Sequence, residues 1–124
     1  NLADSYRWAG LTDKARDSYQ QALLLLDVRL KNAPNSAKLK LRRALYLAKS
    51  GQTEQAQLLL DDIPMMSDNQ MRVMAAQVAE ICGRRQQAVE LLRQAVATGY
   101  QSSEIAHEPE FSNLWPEFNT SGAQ

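Results

Sequence analysis

The sequence predicts an all-α protein. Glycine and proline are scarce, with five and four residues among 124, and both lie between segments of helical periodicity rather than inside them. Alternating runs of β-branched residues, which favour strands, are absent from the sequence. The apolar periodicity therefore predicts helices over residues 2–9, 12–31, 36–50, 53–62, 68–82 and 85–98.

Three glycines divide the predicted helices into pairs. Gly10, Gly51 and Gly83 each follow an apolar helical segment and are followed by a four-residue segment and then an alanine. A glycine at the end of a helix can take the left-handed conformation that stops it. Each of these glycines therefore predicts the turn of a helical hairpin.

Small and large residues recur at fixed distances from these glycines. An alanine lies seven residues before each glycine and five after it, and a bulkier residue follows four positions later. Alanine allows two helices to cross closely, and the larger side chain fills the space beside the crossing. The equivalent residues, in order, are Ala3, Gly10, Ala15, Tyr19 and Ala22; Ala44, Gly51, Ala56, Leu60 and Ile63; and Ala76, Gly83, Ala88, Leu92 and Ala95.

This pattern resembles the tetratricopeptide repeat, a helical hairpin of about 34 residues. The resemblance covers residues 1–98 and implies a right-handed superhelix of antiparallel hairpins, a TPR-like α-solenoid of about 2.5 repeats. The family's tryptophan near the start of each unit is missing, and Lys40 and Arg72 stand in its place. The units are expected at 1–34, truncated at the front and with a lengthened second helix, at 35–66 and at 67–98.

Residues 99–118 are expected to cap the last hairpin, and residues 119–124 to form a disordered tail. Gly99 ends the sixth helix, and one or two short helices are predicted over residues 102–118. Ser67 with Gln70 predicts a capping box for the helix from residue 68, and Ser102-Ser103-Glu104 predicts a cap for the segment after Gly99. The apolar cluster that would cover the end of the array is Phe111, Leu114, Trp115 and Phe118.

The closing segment also resembles that of repeat arrays in bacterial regulatory proteins. In those proteins a phrase of the type Gly-Tyr, acidic-Pro, Leu, Phe follows the last hairpin, as Gly99-Tyr100, Glu108-Pro109, Leu114 and Phe118 do here. Such arrays lie C-terminal to Ser/Thr kinase, winged-helix or nucleotide-cyclase domains. The resemblance implies that this chain is part of a larger bacterial protein.

The family resemblance implies a peptide-binding groove along one stripe of each unit's first helix. The alternative is that Leu41, Leu45 and Val73 are covered by neighbouring helices, or that the groove holds no ligand. Some family members bind a terminal carboxylate with a lysine and an asparagine on this stripe. The corresponding positions here are Leu41, Leu45, Val73 and Gln77, so this kind of binding is not expected. Carried over by position, the stripe consists of Asp4, Arg7, Trp8, Lys38, Leu41, Leu45, Lys49, Gln70, Val73, Gln77 and Glu80.

We expect a non-catalytic interaction or scaffold module of a bacterial regulatory or signalling protein, which binds a protein or peptide partner on its concave face. Two alternatives are a homodimerisation module and a docking region attached to an enzyme such as a Ser/Thr kinase. An enzyme would need clustered titratable groups, whereas His107 and Cys82 each stand alone in the sequence. We therefore expect no catalytic residue, cofactor or metal site.

The composition also bears on the partner and the compartment. Acidic and basic residues balance at 14 each, and the basic segment Lys38–Arg43 spreads its charges over several helix faces, so no nucleic-acid partner is expected. No apolar run approaches the roughly 18–20 residues that span a bilayer, so no membrane insertion is expected. We expect a cytoplasmic location; a signal peptide or membrane anchor on the longer protein would place it in the periplasm.

The four methionines could form an adaptable binding patch, but the simpler expectation is that they fill the gap between hairpins. They are Met65, Met66, Met71 and Met74.

Overall fold

The computed structural model describes residue 4 and residues 12–64, 68–116 and 118. Within this part of the chain all regular structure is helical, which confirms the predicted all-α class. The elements are α1 (Thr12–Asn32), α2 (Ala37–Lys49), α3 (Thr53–Asp61), α4 (Asn69–Ile81), α5 (Arg85–Ala97), α6 (Ser102–His107) and a 3-10 turn (Pro109–Phe111).

Each of the five helices predicted between residues 12 and 98 begins and ends within one residue of its expected bounds. Asp4 is helical, but the rest of the expected helix 2–9, with Arg7 and Trp8, lies outside the described residues. So do Gly10, residues 65–67 and the expected tail 119–124.

The chain divides into two compact units, residues 1–63 and 64–124, hereafter the first and the second unit in place of the three repeats expected from the sequence. In the first unit, α2 contacts both α1 and α3. In the second, α4 pairs with α5, and the 3-10 turn packs against α4 and α6. Each unit therefore contains one pair of helices joined by three residues, a connection short enough to make the two helices antiparallel.

The same backbone motif joins the two helices of both pairs. Gly51 and Gly83 have φ angles of +92° and +79°. After α2, the Gln52 N–H donates to the Leu47 carbonyl at 2.9 Å, and the Gly51 N–H donates to the Ala48 carbonyl at 3.1 Å. The bonds from Arg84 to Ala79 (2.8 Å) and from Gly83 to Glu80 (3.1 Å) repeat this arrangement after α4. Both turns are Schellman motifs, which confirms the helix-ending role predicted for these glycines.

The predicted pattern of small and large residues occupies the interior. Side chains from both helices of each pair are almost completely buried at the predicted positions except Ile63, which follows its helix and is half-buried. Small residues there allow the helices to approach, and leucine fills the adjacent space. These residues are Ala44, Ala56 and Leu60 in the first unit and Ala76, Ala88, Leu92 and Ala95 in the second.

Side chains cap the first helix of each pair. Ser36 Oγ accepts a hydrogen bond from the Leu39 N–H at 3.2 Å, and Asp68 Oδ1 accepts one from the Met71 N–H at 2.8 Å. Asp68 is therefore the N-cap of α4, and Ser67 of the expected capping box lies outside the described residues. The cap expected from Ser102 is wrong: Gln101 precedes α6 and makes no capping hydrogen bond with its side chain.

The C-terminal aromatic cluster is part of the second unit's interior. Phe111, Leu114 and Phe118 are buried, and Trp115 stacks on Phe118 with their ring centroids 5.9 Å apart. The Gln77 amide on α4 donates to Glu108 Oε2 at 3.3 Å, just before the 3-10 turn. The segment predicted to cover the last hairpin thus packs against that hairpin's first helix.

Candidate functional site

The predicted contact stripe of the first unit contains both buried and exposed side chains. Leu41 and Leu45 of α2 are buried, whereas Lys38 at the start of the same helix is exposed. Lys49 at the helix end forms an ion pair with Asp4, and its Nζ lies 2.7 Å from Asp4 Oδ1. Of the described stripe residues on α2, Lys38 therefore offers the most surface to a ligand.

In the second unit the stripe follows α4. Val73 is buried, and the Gln77 amide donates to Glu108. Glu80 binds Arg85, with 2.7 Å between Oε2 and Nη2. Gln70, in the first turn of the helix, is exposed. The two units thus have the same arrangement, with an exposed polar residue at the start of the stripe and a side chain engaged in an ion pair near its end.

Asp4 is the centre of a polar cluster at the end of α2. It accepts hydrogen bonds from Lys49 Nζ and from the hydroxyl of the buried Tyr19. Tyr19 also packs against Tyr46, with ring centroids 5.9 Å apart. Burial raises the pKa of the Asp4 carboxyl, but the hydrogen bonds from Lys49 and Tyr19 and the Lys49 charge together outweigh it, so the pKa is lowered from 3.8.

The remaining candidate residues from the sequence are its histidine, its cysteine and its methionines. His107 is exposed, and its Nδ1 lies 2.7 Å from the Ser103 carbonyl oxygen. Cys82 is half-buried and occupies the C-cap position of α4. Met71 is buried and Met74 is half-buried, whereas Met65 and Met66 lie outside the described residues.

No group of three or more His, Cys, Asp or Glu side chains is placed to hold a metal ion among the described residues. None of the described helices combines the length and apolar character needed to cross a membrane.

Sequence reasoning missed a cleft of about 450 Å³ in the first unit, between α1 and α2. Its apolar wall comes mainly from α1, and two arginines lie among its lining residues. The signal that could have revealed it is the run Ala22–Leu26, because four consecutive leucines cannot all face the same neighbouring helix. The lining residues are Ala22, Leu25, Leu26, Val28, Arg29, Arg42 and Tyr46.

The basic segment Lys38–Arg43 is divided by the fold. Arg43 forms an ion pair with Asp27 of α1, with 2.9 Å between Nε and Oδ1. Arg42 instead lines the cleft, and Lys38 is exposed at the start of α2. These charges therefore lie in different surroundings, which is the arrangement expected from their spacing on a helix.

Comparison of the chain with protein-family models, with curated proteins and with solved structures gives no match. The function is therefore inferred from the chain's own residues and from the geometry of its two units.

Proposed function

We propose that this chain is a tetratricopeptide-type repeat array that serves as a non-catalytic interaction module of a larger bacterial regulatory protein. Each repeat contributes a stripe along its first helix to a concave surface that binds a peptide or protein segment. The stripe of α2 begins at Lys38 and that of α4 at Gln70, both of which are exposed. Arg7 and Trp8 belong to the same surface in the proposal and lie outside the described residues.

The observation that carries this proposal is the repetition of one hairpin at a spacing of 32 residues. Ser36 and Asp68 cap the first helices, and Gly51 and Gly83 close their ends with the same motif. Buried alanine and leucine residues recur at the same spacing between these points. One hairpin buries only part of its apolar surface, so a repeated hairpin favours an array whose helices present an extended surface to partners.

Site-specific photo-crosslinking in the full-length protein tests this surface. p-Benzoylphenylalanine would replace Lys38 or Gln70, one exposed residue at the start of each stripe. The matched control is Glu90, an exposed residue on the second helix of its hairpin. We expect the same discrete crosslinked partner from both stripe positions and none from position 90.

The outcomes separate the alternatives. A crosslink to a second copy of the chain would replace the peptide-binding proposal with homodimerisation. A crosslink from position 90, with none from positions 38 and 70, would place the binding surface on the second helices. No crosslink from any of the three positions, in cells that express the protein at its normal level, would contradict an interaction role for this surface.

A further inference from the structure

The long helix α1 is apolar around most of its circumference near its middle. Leu23 and Leu26 face the interior and are buried. Leu24, Leu25 and Val28 point away from it and are 66%, 68% and 59% exposed. A helix with apolar residues on opposite sides is typically covered on both, and grouped exposed aliphatic side chains mark interaction surfaces.

Part of this exposed face forms the wall of the cleft between α1 and α2. Its volume of about 450 Å³ lies within the range of sites that hold ligands or side chains of a partner. Leu25, Leu26 and Val28 supply aliphatic contacts from α1, and Tyr46 supplies an aromatic contact from α2. The shape and lining suit apolar side chains inserted from outside.

The charges at the cleft are positive. Arg29 of α1 and Arg42 of α2 are lining residues, and no acidic residue is among the seven that line it. Asp27 binds Arg43 instead. Neither Arg29 nor Arg42 forms an ion pair within the described part of the chain. Two guanidinium groups beside an apolar surface are complementary to carboxylates that flank aliphatic side chains.

We propose that this arginine-flanked cleft docks an acidic amphipathic helix of a partner protein. The helix would insert aliphatic residues spaced at i, i+4 and i+7, and its flanking glutamate or aspartate side chains would pair with Arg29 and Arg42. A second copy of the chain is a poorer occupant, because an isologous contact through this cleft would bring the same arginines of both copies together.

The cleft is distinct from the stripe proposed above. None of its seven lining residues belongs to the stripe, and Lys38 and Gln70 are not among them. The inference rests on the proposed function only in treating the chain as an interaction module. Loss of binding at the cleft with the crosslinks at positions 38 and 70 retained would therefore refute this inference alone.

Fluorescence anisotropy with two synthetic peptides tests the inference. Both peptides carry fluorescein and leucines at i, i+4 and i+7; one has glutamates at the flanking positions, and the other has lysines there. We expect the glutamate peptide to bind the wild-type chain at least about tenfold more tightly. This preference should decrease as the salt concentration rises, because added ions screen exposed charges.

Paired variants assign the binding to the cleft. Leu25→Glu should weaken binding of the glutamate peptide at least about tenfold, whereas Leu58→Glu should leave it unchanged. Leu58 is a matched control, because it is 71% exposed on α3 and does not line the cleft. The double variant Arg29→Gln with Arg42→Gln should reduce the preference for the glutamate peptide to about threefold or less. Arg16 is an exposed residue of α1, and Arg16→Gln should retain the preference.

Several results would overturn the inference. These are equal binding of the two peptides, no binding of either, or equal losses in the Leu25 and Leu58 variants. Light scattering over a dilution series that showed self-association abolished by Leu25→Glu would assign the cleft to a second copy. Leu25-dependent binding to anionic lipid vesicles, without binding to the glutamate peptide, would assign it to a membrane surface.

Discussion

The two hairpins, α2–α3 and α4–α5, have similar buried residues and the same turn motif, but they differ in the polar contacts at their ends. In both, the first helix has 13 residues, a side-chain N-cap and a glycine with positive φ after its end. In the first hairpin, Lys49 binds Asp4, which precedes α1 in the chain. In the second, Glu80 binds Arg85 at the start of the next helix.

This difference shows which contacts define the repeat. The turns and the buried alanines determine how closely two helices approach, so they must recur if the hairpin is to recur. The ion pairs lie at the ends of the first helices, and their partners come from different parts of the chain. The two hairpins also differ at the position of Leu45. Leu45 is buried in α2, whereas its equivalent in α4 is Gln77, whose amide donates to Glu108.

The largest effect that would test this equivalence is the loss of the buried leucines. Leu60→Ala and Leu92→Ala each remove a core side chain, and each should lower the free energy of unfolding by about 2–5 kcal/mol. The cost of removing a buried leucine varies with its surroundings. If the two hairpins are equivalent, these surroundings are alike, and the two losses should agree within about 1 kcal/mol. Urea unfolding followed by far-ultraviolet circular dichroism measures both.

Leu58→Ala is the control for these variants. It lies on the same helix as Leu60 but is largely exposed, so its replacement should change the free energy of unfolding by less than about 0.5 kcal/mol. A loss at Leu58 as large as that at Leu60 would contradict the assignment of the buried face of α3. A negligible loss at Leu92 alone would show that the two cores are not equivalent.

A smaller effect is expected from the turns. Gly51→Ala and Gly83→Ala should each cost about 1–2 kcal/mol, because an L residue at these positive φ angles is strained. Apart from the glycine and its two chain neighbours, no heavy atom of the described residues lies within 4 Å of an added Cβ at either position, so the cost should come from the backbone conformation and not from a steric clash. Thermal unfolding of both variants measures it.

Asparagine at the same positions separates the two causes. Asparagine tolerates the left-handed conformation better than alanine does, although its side chain is larger. Gly51→Asn and Gly83→Asn should therefore be more stable than the alanine variants. The reverse order would indicate crowding at the turn, contrary to the geometry described above.

Much of the fold could be predicted because its signals are local. Glycines that end helices, alanines at crossings and apolar periodicity each act within a few turns of chain, and these placed the five central helices correctly. The N-cap of α4 was missed although the repeat itself points to it, since Asp68 lies 32 residues after Ser36. Applying the repeat spacing to the caps would have selected Asp68 rather than Ser67.

The candidate cleft could not be predicted in the same way. Whether Leu25 is buried or exposed depends on which side of α1 its neighbours cover, and that is a tertiary property. The pairing of Asp27 with Arg43, which leaves Arg42 to line the cleft, also depends on the rotation of α2 against α1. Sequence spacing shows which residues share a helix face but not what that face meets.

The smallest effect concerns the polar cluster found in the first unit. The folded-state pKa of Asp4 is lowered from 3.8, so its ionised form stabilises the fold above about pH 4. This contribution should be lost as the pH falls through the lower, folded-state pKa. Asp4→Asn should therefore destabilise the protein at neutral pH by less than about 1 kcal/mol, as expected for a partly exposed ion pair. The difference in the free energy of unfolding between Asp4→Asn and the wild type should become smaller as the pH is lowered.

A double-mutant cycle with Lys49→Met assigns this pH dependence to the ion pair. If Lys49 accounts for most of the lowered pKa, Asp4→Asn should have a smaller pH-dependent effect in the Lys49→Met background than in the wild type. Urea unfolding of the four proteins at neutral pH and near pH 3 provides the comparison. An unchanged pH dependence in the Lys49→Met background would instead assign the lowered pKa to other groups at this carboxylate, of which the Tyr19 hydroxyl is one because it also donates a hydrogen bond to Asp4.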